Sequence, residues 1–399
     1  MSATGGAGAN DDLFARRILV CVGCGGVGKT TVAAAIALEA ARSGRRALVI
    51  TIDPARRLAD ALGLAALGDE PAALPPERLA QAGVPEGASL SAAMLDQKRT
   101  FDGLVERLAP DRVTRERILS NPIYQHVSDA LAGSVEYSAM ERVYELSQRP
   151  DFDSIVVDTP PAQHALDFLE APQRLIEFLD SRLVHLLIHP ALSAGRLGAR
   201  WFQRGTQLGL RAIERLTGMG FLEDLSEFLL AFEGMAGGFR QRAERVRALL
   251  RGGNAGFVLV AGPERESVAQ AQEFLARLES FEVELRGVVA NRVRLWPGGG
   301  EPPDAEPRSE DVDALARALA TVAPQGYPAE AAARAAVACA AGYAALVRRD
   351  ARALHALHQR AVAGGRRFWR AVPELPQDVG DLTTLARVGA LVAGRQETV

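Results

Sequence analysis

A nine-residue run near the start of the chain, GCGGVGKTT at Gly23–Thr31, matches the pattern G-x-x-x-x-G-K-[ST]. The apolar run Arg17–Val22 before it predicts a buried strand, and the alanine-rich run Lys29–Arg42 after it predicts a helix. A glycine-rich turn in that context directs backbone N–H groups at an anion, and the helix N-terminus adds a favourable dipole. The run therefore predicts a phosphate-binding loop inside an α/β fold.

Two side chains of this loop carry specific chemistry. Lys29 would reach the β- and γ-phosphates of a nucleotide, and the Thr30 hydroxyl would ligate Mg²⁺. Lys29 is one of only two lysines, with Lys98, among 46 basic residues. A compact ammonium fits between phosphate oxygens where a planar guanidinium does not. The predicted nucleotide ligands in the loop are Gly23, Cys24, Gly25, Gly26, Val27, Gly28, Lys29, Thr30 and Thr31.

Two aspartates follow predicted strands further along the chain. Asp53 comes after the second strand, Arg46–Ile52, where a carboxylate can orient or deprotonate an attacking water. Asp158 comes after the apolar run Ser154–Val157, as expected of a carboxylate that holds Mg²⁺ directly or through water. Taken alone, either aspartate could simply begin a helix or a turn. With a phosphate loop upstream, the functional interpretation is favoured for Asp158.

Strands alternate with helices along the rest of the chain. Further strands are predicted at Ser89–Leu95, Gly256–Ala261, Leu285–Ala290 and Val372–Leu375, and a long helix at about 329–362. This alternation predicts right-handed βαβ units and a mostly parallel sheet flanked by helices, the fold class of a P-loop NTPase. Ligands of such sheets bind at the carboxyl ends of the strands, where the phosphate loop and both aspartates fall.

The predicted organisation is a flexible tail at 1–15 followed by a single domain at 16–399. Within the domain, helical insertions are predicted at about 97–150 and 165–250. Residues 65–88 have no clear periodicity and are predicted to form a loop or a lid. A disordered acidic loop rich in proline and glycine is predicted at about 296–310.

Composition argues against several classes of protein. The formal net charge of −3 disfavours a nucleic-acid binder, which usually carries a basic patch. No uninterrupted apolar run approaches the roughly 20 residues that span a bilayer, and the first residues lack the basic and apolar regions of a signal peptide. The three cysteines, Cys21, Cys24 and Cys339, form no disulfide framework and no metal set. The expected compartment is the cytoplasm, with membrane contact only through a partner.

Several separated motifs together resemble one family. The phosphate loop, TIDPARRLADAL at Thr51–Leu62 and DTPPAQHALDFL at Asp158–Leu169 look like the arsenite-pump ATPases (ArsA) and the ATPases that target tail-anchored proteins. The stretches GSVEYSAMERVYEL at Gly133–Leu146, GVVANR at Gly287–Arg292 and VPELPQDVGDL at Val372–Leu382 extend the resemblance over most of the chain. Their shared order makes the resemblance specific.

The resemblance implies an ATPase that uses ATP and Mg²⁺ and works as a dimer. It implies that Asp53 positions the hydrolytic water and that Asp158 and the loop after it form the second switch. It also implies that Asn291 contacts adenine and that the segment near Pro373 closes over the base. Lys29, Asp53 and Asp158 are thus the expected catalytic residues, and Thr30 and Asp158 the expected Mg²⁺ ligands.

The chain departs from the family at one position of the loop. The family pattern, G-K-G-G-x-G-K-[ST], carries a signature lysine that reaches the phosphates of the partner subunit, and here that position is Cys24. The chain resembles bacterial members that occur as pairs of unlike paralogues, one of which lacks this lysine. A homodimer would lack the cation in both sites. A heterodimer with a lysine-bearing paralogue is therefore favoured over a homodimer.

Two further properties of this region follow from the residue types. Arg56 or Arg57 could supply the missing charge, although a solvated helix face is the simpler interpretation. A thiol beside a helix N-terminus, as Cys24 would be, could have a lowered pKa.

The resulting expectation is an ATPase whose nucleotide cycle opens and closes a dimer and is coupled to a client or a membrane partner. The alternative is a nucleotide-binding regulatory or scaffold subunit with little hydrolysis of its own, which Cys24 supports. Apolar stripes at 175–187 and 221–232 could form a client groove or pack inside the protein, and their scarcity of methionine favours packing. The cysteine trio of arsenite-binding members is missing, so arsenite is not an expected ligand.

Overall fold

The computed structural model describes residues 13–14, 16–53, 56–127, 134–160, 167–179, 219–281, 283–297, 299–303, 308–363 and 367–395. These residues form an α/β fold around an eight-stranded sheet with the order β3-β4-β2-β5-β1-β6-β7-β8. All neighbouring strands are parallel except β3 and β4. The predicted fold class is confirmed. The strands are β1 (Ile18–Gly23), β2 (Arg46–Thr51), β3 (Ala72–Ala73), β4 (Ser89–Met94), β5 (Ser154–Asp158), β6 (Ala255–Ala261), β7 (Leu285–Val293) and β8 (Phe368–Pro373).

Helices cover both faces of the sheet. One face is covered by α1, α2, α3 and α13, and the other by α7, α9, α10 and α12. The described helices are α1 (Lys29–Arg42), α2 (Arg57–Leu62), α3 (Pro76–Gln81), α4 (Gln97–Leu108), α5 (Arg112–Ser120), α6 (Pro122–Val127), α7 (Ser134–Gln148), α8 (Asp167–Leu179), α9 (Met219–Arg251), α10 (Arg265–Ser280), α11 (Ser309–Val322), α12 (Ala329–Val362) and α13 (Leu382–Val392).

The central strands are apolar throughout because both of their faces are buried. Along β5, Val156 enters the core shared with α1, whereas Ile155 and Val157 enter the core shared with α7, α10 and α12. This alternation follows from the two-residue period of a strand. The two cores hold the middle of the sheet between helical layers, and this fixes the carboxyl ends of β1, β2 and β5 side by side.

Four elements differ from the sequence prediction. Residues 65–88, predicted as a loop or lid, contain β3 and α3. The strand has two residues and the helix buries only Leu79, so neither has the periodic apolar face that signals an element. Helix α11 was not predicted, and none of its residues is buried. Strand β8 begins at Phe368, ahead of the predicted Val372, because Arg370 interrupts its apolar pattern.

The packed part of the chain begins within the segment that was predicted to be a flexible tail. Leu13 and Phe14 are buried in the core shared with α1, so the tail assignment does not hold for these two residues. The guanidinium of Arg45 lies 5.6 Å from the centre of the Phe14 ring. Residues 1–12 lie outside the described residues, as do 304–307 of the predicted acidic loop, whose end at 309–310 belongs to α11.

The helices of the two predicted insertions share a third core. Phe101, Tyr124, Tyr137 and Phe239 are buried in it, on helices α4, α6, α7 and α9. Phe228 of the second apolar stripe is buried there too, with its ring centre 6.3 Å from that of Tyr124. For Phe228 the packing interpretation is therefore correct. The side chains of the other stripe residues lie outside the described residues.

One described helix, α12, is long and apolar enough by length and composition to cross a membrane. Its C-terminal half packs on the sheet, where Leu354 and Leu357 enter the core and Asp350 lies 3.2 Å from Arg294. Its N-terminal half packs against α11 and is mostly exposed. Because half of α12 is anchored in the domain core, we assign the helix to the α/β domain.

A buried ion pair joins α7 to α9. Glu141 is fully buried, and Arg242 Nε donates a hydrogen bond to its Oε1 at 2.6 Å. The Arg242 guanidinium also lies 4.9 Å from the centre of the Tyr144 ring. Among the described residues, Glu141 Oε2 has no hydrogen-bond partner. A buried carboxylate is tolerated only when its charge is paired, so this contact holds together α7 and α9, which both cover the sheet and both enter the third core.

Replacing Arg242 with methionine is expected to destabilise the fold by about 3 kcal/mol at pH 8, because a buried carboxylate loses its partner. Burial raises the pKa of Glu141, and Arg242 opposes that shift. When the folded-state pKa is raised, the charged carboxylate is unfavourable above its ordinary pKa of about 4.3 and harmless below it. The loss should therefore shrink as the pH falls toward 5, as measured by urea unfolding.

The matched control is Arg245→Met, an exposed arginine on the same helix. It should change the free energy of unfolding by less than about 0.5 kcal/mol. If Arg242→Met loses equal stability at pH 5 and pH 8, packing rather than charge accounts for the role of Arg242.

Candidate functional site

The predicted site residues meet at the carboxyl edge of the sheet. The register of the central strands sets Asp158 opposite both Cys21 and Thr51, and Gly23 opposite Val260. Thr51 and Asp158 are 107 residues apart in sequence, yet the Thr51 hydroxyl donates to Asp158 Oδ2 at 2.9 Å. Parallel strands end at the same edge, so the topology brings the phosphate loop and both aspartates together.

The phosphate loop passes so close to β6 and β7 that two of its glycines have no room for a side chain. A Cβ atom on Gly23 would lie 2.1 Å from the Val260 carbonyl oxygen. A Cβ atom on Gly28 would lie 2.4 Å from the side-chain nitrogen of Asn291. Gly28 also has φ of 86°, in the left-handed region that glycine adopts without a steric penalty. The loop is thus seated on the sheet through its backbone.

Side chains from the end of β7 hold the carbonyl groups of the loop. Asn291 Nδ2 donates to the Val27 oxygen at 2.8 Å, and Arg292 Nη1 donates to the Gly26 oxygen at 3.1 Å. In a trans peptide the N–H group points opposite to the C=O group. The N–H groups of Val27 and Gly28 therefore point away from these two side chains. Backbone amides that share one direction form an anion-binding concavity, so the loop is preformed for a phosphate.

Lys29 is buried at the first position of α1. Its ammonium donates to the Cys24 carbonyl oxygen at 2.8 Å. Burial lowers the pKa of Lys29, and the charge of Asp158 opposes that shift. A desolvated ammonium at a helix N-terminus makes the site strongly favourable for an anion, because the helix dipole acts in the same direction.

Asp158 is the fully buried carboxylate of the site. Burial raises its pKa to about 6, while the hydroxyls of Thr30 and Thr51 and the charge of Lys29 oppose the shift. Its Oδ1 has no hydrogen-bond partner among the described residues. An unbonded, buried carboxylate oxygen beside a threonine hydroxyl is the oxygen donor set that Mg²⁺ prefers. These residues therefore fit the predicted metal, although the residues after Pro160 in this loop, 161–166, lie outside the described residues.

Asp53 lies just beyond the end of β2. Its backbone N–H donates to the Thr51 hydroxyl at 3.2 Å, and its side chain is about one-fifth exposed. Its Oδ2 lies 3.5 Å from Nη1 of Arg57, whose side chain is 65% exposed. Arg57 thus lies on a solvated helix face and screens Asp53 from outside. The next residues, 54–55, lie outside the described residues.

The thiol of Cys24 is turned into the protein. It is 4% exposed, and its Sγ donates to the Ser267 carbonyl oxygen at 3.5 Å. Burial raises its pKa, so the lowered pKa expected beside a helix N-terminus is wrong; desolvation outweighs the dipole. Burial likewise raises the pKa of Cys21, which lies on the buried strand β1. Both thiols are therefore buried groups of the core.

Pro373 ends β8 and pairs with Val293 of β7. It is therefore at the same edge of the sheet as Asn291, one strand further from the phosphate loop. The closure of the segment near Pro373 over the base stays a prediction, as does the contact of Asn291 with adenine.

The sequence also matches known proteins. Residues 16–194 match the family model described as anion-transporting ATPase. The similarity to that family covers this segment, which is less than half of the chain. It is 26% identical to the ATPase get3 of Schizosaccharomyces japonicus over 69% of this chain and 74% of that protein. It is 29% identical to the ATPase ARSA2 of Chlamydomonas reinhardtii over 72% and 71%. It is 33% identical to an uncharacterized protein of Streptomyces coelicolor over 45% and 42%.

Two residues of the candidate site were not singled out from the sequence. Thr51 binds the Asp158 carboxylate, and Arg292 binds the loop at Gly26. The sequence gives a weak indication for Thr51, since it is a polar residue at the carboxyl end of an apolar strand. It gives none for Arg292, because an arginine at a strand end is ordinary until the neighbouring loop is placed beside it.

Replacing Asp158 with asparagine is expected to stabilise the ligand-free chain at pH 8 by roughly 3 kcal/mol. The pKa of Asp158 lies about two units above its ordinary value, and each unit corresponds to about 1.4 kcal/mol. Because the folded-state pKa is raised, the penalty is complete above pH 6 and disappears below pH 4. Urea unfolding at pH 8 and pH 4 should show the gain at pH 8 only. If Asp158→Asn is no more stable than the wild-type chain at pH 8, the burial penalty assigned to Asp158 is wrong.

Proposed function

We propose that this chain binds ATP with Mg²⁺ in the phosphate loop and hydrolyses the ATP. The observation that carries the proposal is the unbonded Oδ1 of buried Asp158 in a site that also holds Lys29 and a preformed amide loop. An anion site alone would fit any phosphate. A carboxylate placed for a divalent cation in that site is what a metal-bound nucleoside triphosphate requires.

The residues divide the work of transferring the γ-phosphoryl group to water. The loop amides and Lys29 would bind the phosphate oxygens and hold their negative charge in place as the bond to the leaving group lengthens. Thr30 and Asp158 would hold Mg²⁺, which when bound neutralises charge on the β- and γ-phosphates. Asp53 would orient the attacking water and accept its proton. Asn291 and Pro373, at the ends of β7 and β8, would contact the base.

Replacing Asp53 with asparagine is expected to lower turnover about 100-fold or more with little change in ATP affinity, because asparagine cannot accept the proton. Turnover is measured by phosphate release, and affinity by titration with a fluorescent ATP analogue. The matched control is Asp60→Asn, an exposed aspartate on the neighbouring helix α2, which should leave both unchanged. Unchanged turnover in Asp53→Asn would remove the role assigned to Asp53.

We also propose that the site is completed by a second subunit. The support is the inward orientation of Cys24: at the position of the signature lysine, this loop presents no side chain to its surroundings. A heterodimer with a lysine-bearing paralogue would give this nucleotide the missing cation, and a homodimer would not. The nucleotide cycle would then open and close the dimer and couple it to a client or a membrane protein.

The same observation favours a second candidate function. Without a cation in place of Cys24, the chain would hold ATP as a regulatory or scaffold subunit and hydrolyse little of it. Tight ATP binding with no turnover, both alone and with the paralogue, would identify this function. Turnover that appears only with the paralogue would identify the heterodimeric ATPase.

Replacing Cys24 with lysine is expected to raise the turnover of the chain alone by at least about tenfold, because a lysine is too long for the pocket near Ser267 and must extend outward to a partner subunit. Cys24→Ala is the control for loss of the thiol and should leave turnover at the wild-type level. The wild-type chain mixed with a lysine-bearing paralogue should show a similar rise. If turnover of Cys24→Lys and Cys24→Ala is equal, the missing cation does not limit hydrolysis.

A further inference from the structure

Arg292 has an unfavourable backbone conformation. Its φ is 57°, and among the described residues it is the only residue other than glycine with a positive φ. For a residue with a Cβ atom this left-handed conformation is disfavoured by steric contact with the following carbonyl group. Such conformations persist where the surrounding structure imposes them, and they concentrate at functional sites.

The strained residue coincides with an irregularity in the sheet. Ala290 pairs with Ala371 and Val293 pairs with Pro373, so β7 has one more residue than β8 between these two pairs. An extra residue of this kind is a β-bulge, which changes the direction in which side chains point. Only Asn291 and Arg292 lie inside the bulge.

The bulge has a specific consequence for these two side chains. In a regular strand, neighbouring side chains point to opposite faces of the sheet. Here Asn291 and Arg292 instead bind neighbouring carbonyl groups of the same loop, those of Val27 and Gly26. The positive φ and the extra residue are what allow two successive side chains to reach one loop.

The Arg292 guanidinium acts from outside the phosphate cradle. It is on the carbonyl side of the peptide between Gly26 and Val27, and the Val27 N–H group points the opposite way. A guanidinium in this position cannot share the amide side of the loop with a phosphate. It can fix the orientation of the peptide between Gly26 and Val27. Without this bond the peptide could rotate, because Gly26 has no Cβ atom and readily changes its backbone angles.

We infer that Arg292 is a positioning residue of the phosphate loop: its bond to the Gly26 carbonyl, made possible by the bulge in β7, keeps the Val27 N–H group directed at bound phosphate. This inference rests on the proposed nucleotide site and adds a residue to it. The unfavourable backbone conformation of Arg292 is thus present in the ligand-free chain, where it keeps the loop formed before the nucleotide binds.

The test compares three substitutions at this position in the full chain. Arg292→Met keeps the length and the strain but removes the donor, Arg292→Lys keeps a donor of similar reach, and Arg292→Gly removes both the donor and the strain. The probes are ADP and inorganic pyrophosphate, titrated with Mg²⁺ by calorimetry, and the melting temperature is measured without ligand. Arg317→Met, an exposed arginine on α11, is the control.

We expect Arg292→Met and Arg292→Gly to weaken ADP and pyrophosphate by the same factor, about tenfold, as for loss of a hydrogen bond from a charged donor. Arg292→Lys should stay within about threefold of wild type. Arg292→Gly should melt no lower than wild type, since glycine adopts the left-handed conformation freely. A residue with a purely structural role would instead lose stability together with affinity.

Three results would overturn the inference. The first is unchanged affinity in Arg292→Met and Arg292→Gly. The second is weaker ADP binding with unchanged pyrophosphate binding, which would mean that Arg292 contacts the base or the ribose. The third is a loss of affinity in Arg292→Gly with a matching fall in melting temperature. If the wild-type chain binds neither probe, the proposed nucleotide site itself fails, and that result is distinct from the other three.

Discussion

The close approach of the phosphate loop to β6 and β7 is the constraint on which the rest of the site depends. The backbone of Gly23 leaves no space against the Val260 carbonyl group, and Gly28 leaves none against Asn291. Besides the buried side chains of Cys24 and Val27, donors that bind the carbonyl oxygens of the loop hold it there. Those bonds turn the opposite ends of the peptides, the N–H groups, toward a ligand. The proposed anion site therefore depends on how the loop is held against β6 and β7, and the loop residues alone would not create it.

The loop and its surroundings contain two buried ionisable groups, and burial disfavours the charged form of each in the ligand-free chain. Burial lowers the pKa of Lys29 and raises that of Asp158, so each group resists the charged form that phosphate and metal binding require. Each partly offsets the penalty of the other. Residues kept in an unfavourable state for function are a common reason why proteins are less stable than their folds allow. In this chain the penalty is placed where a metal-bound nucleotide would relieve it.

Ion pairs connect the surroundings of the site to helices α7 and α9. Buried Arg142 of α7 donates to the Asp69 carbonyl oxygen at 2.9 Å and lies 3.1 Å from the Asp69 carboxylate. Asp69 belongs to the segment that follows α2, which begins just after Asp53. The ion pair between Glu141 and Arg242 then continues from α7 to α9. These contacts join the segment after α2 to helices α7 and α9 through ion pairs.

Local sequence was enough for the features that depend on short-range pattern. The glycine spacing, the apolar runs and the alanine-rich helix predicted the phosphate loop, the parallel sheet and the ends of α1 and α12. They failed for α3 and α11, which bury little and therefore have no periodic apolar face. They also failed for Leu13 and Phe14, whose burial depends on a core assembled from distant strands.

The tertiary structure decided everything that depends on which groups become neighbours. Sequence predicted that Asp158 would end a strand, but not that Thr51 would bind one of its oxygens and leave the other unbonded. The sequence contains a cysteine where the family pattern has a lysine. Its thiol is buried only because α10 covers it, and this burial reverses the expected pKa shift. Arg292 gains its role only when a bulge in β7 turns it toward the loop. The physical reason is the same in each case: residue spacing fixes local geometry, whereas burial and hydrogen bonding depend on contacts between segments that are far apart in the chain.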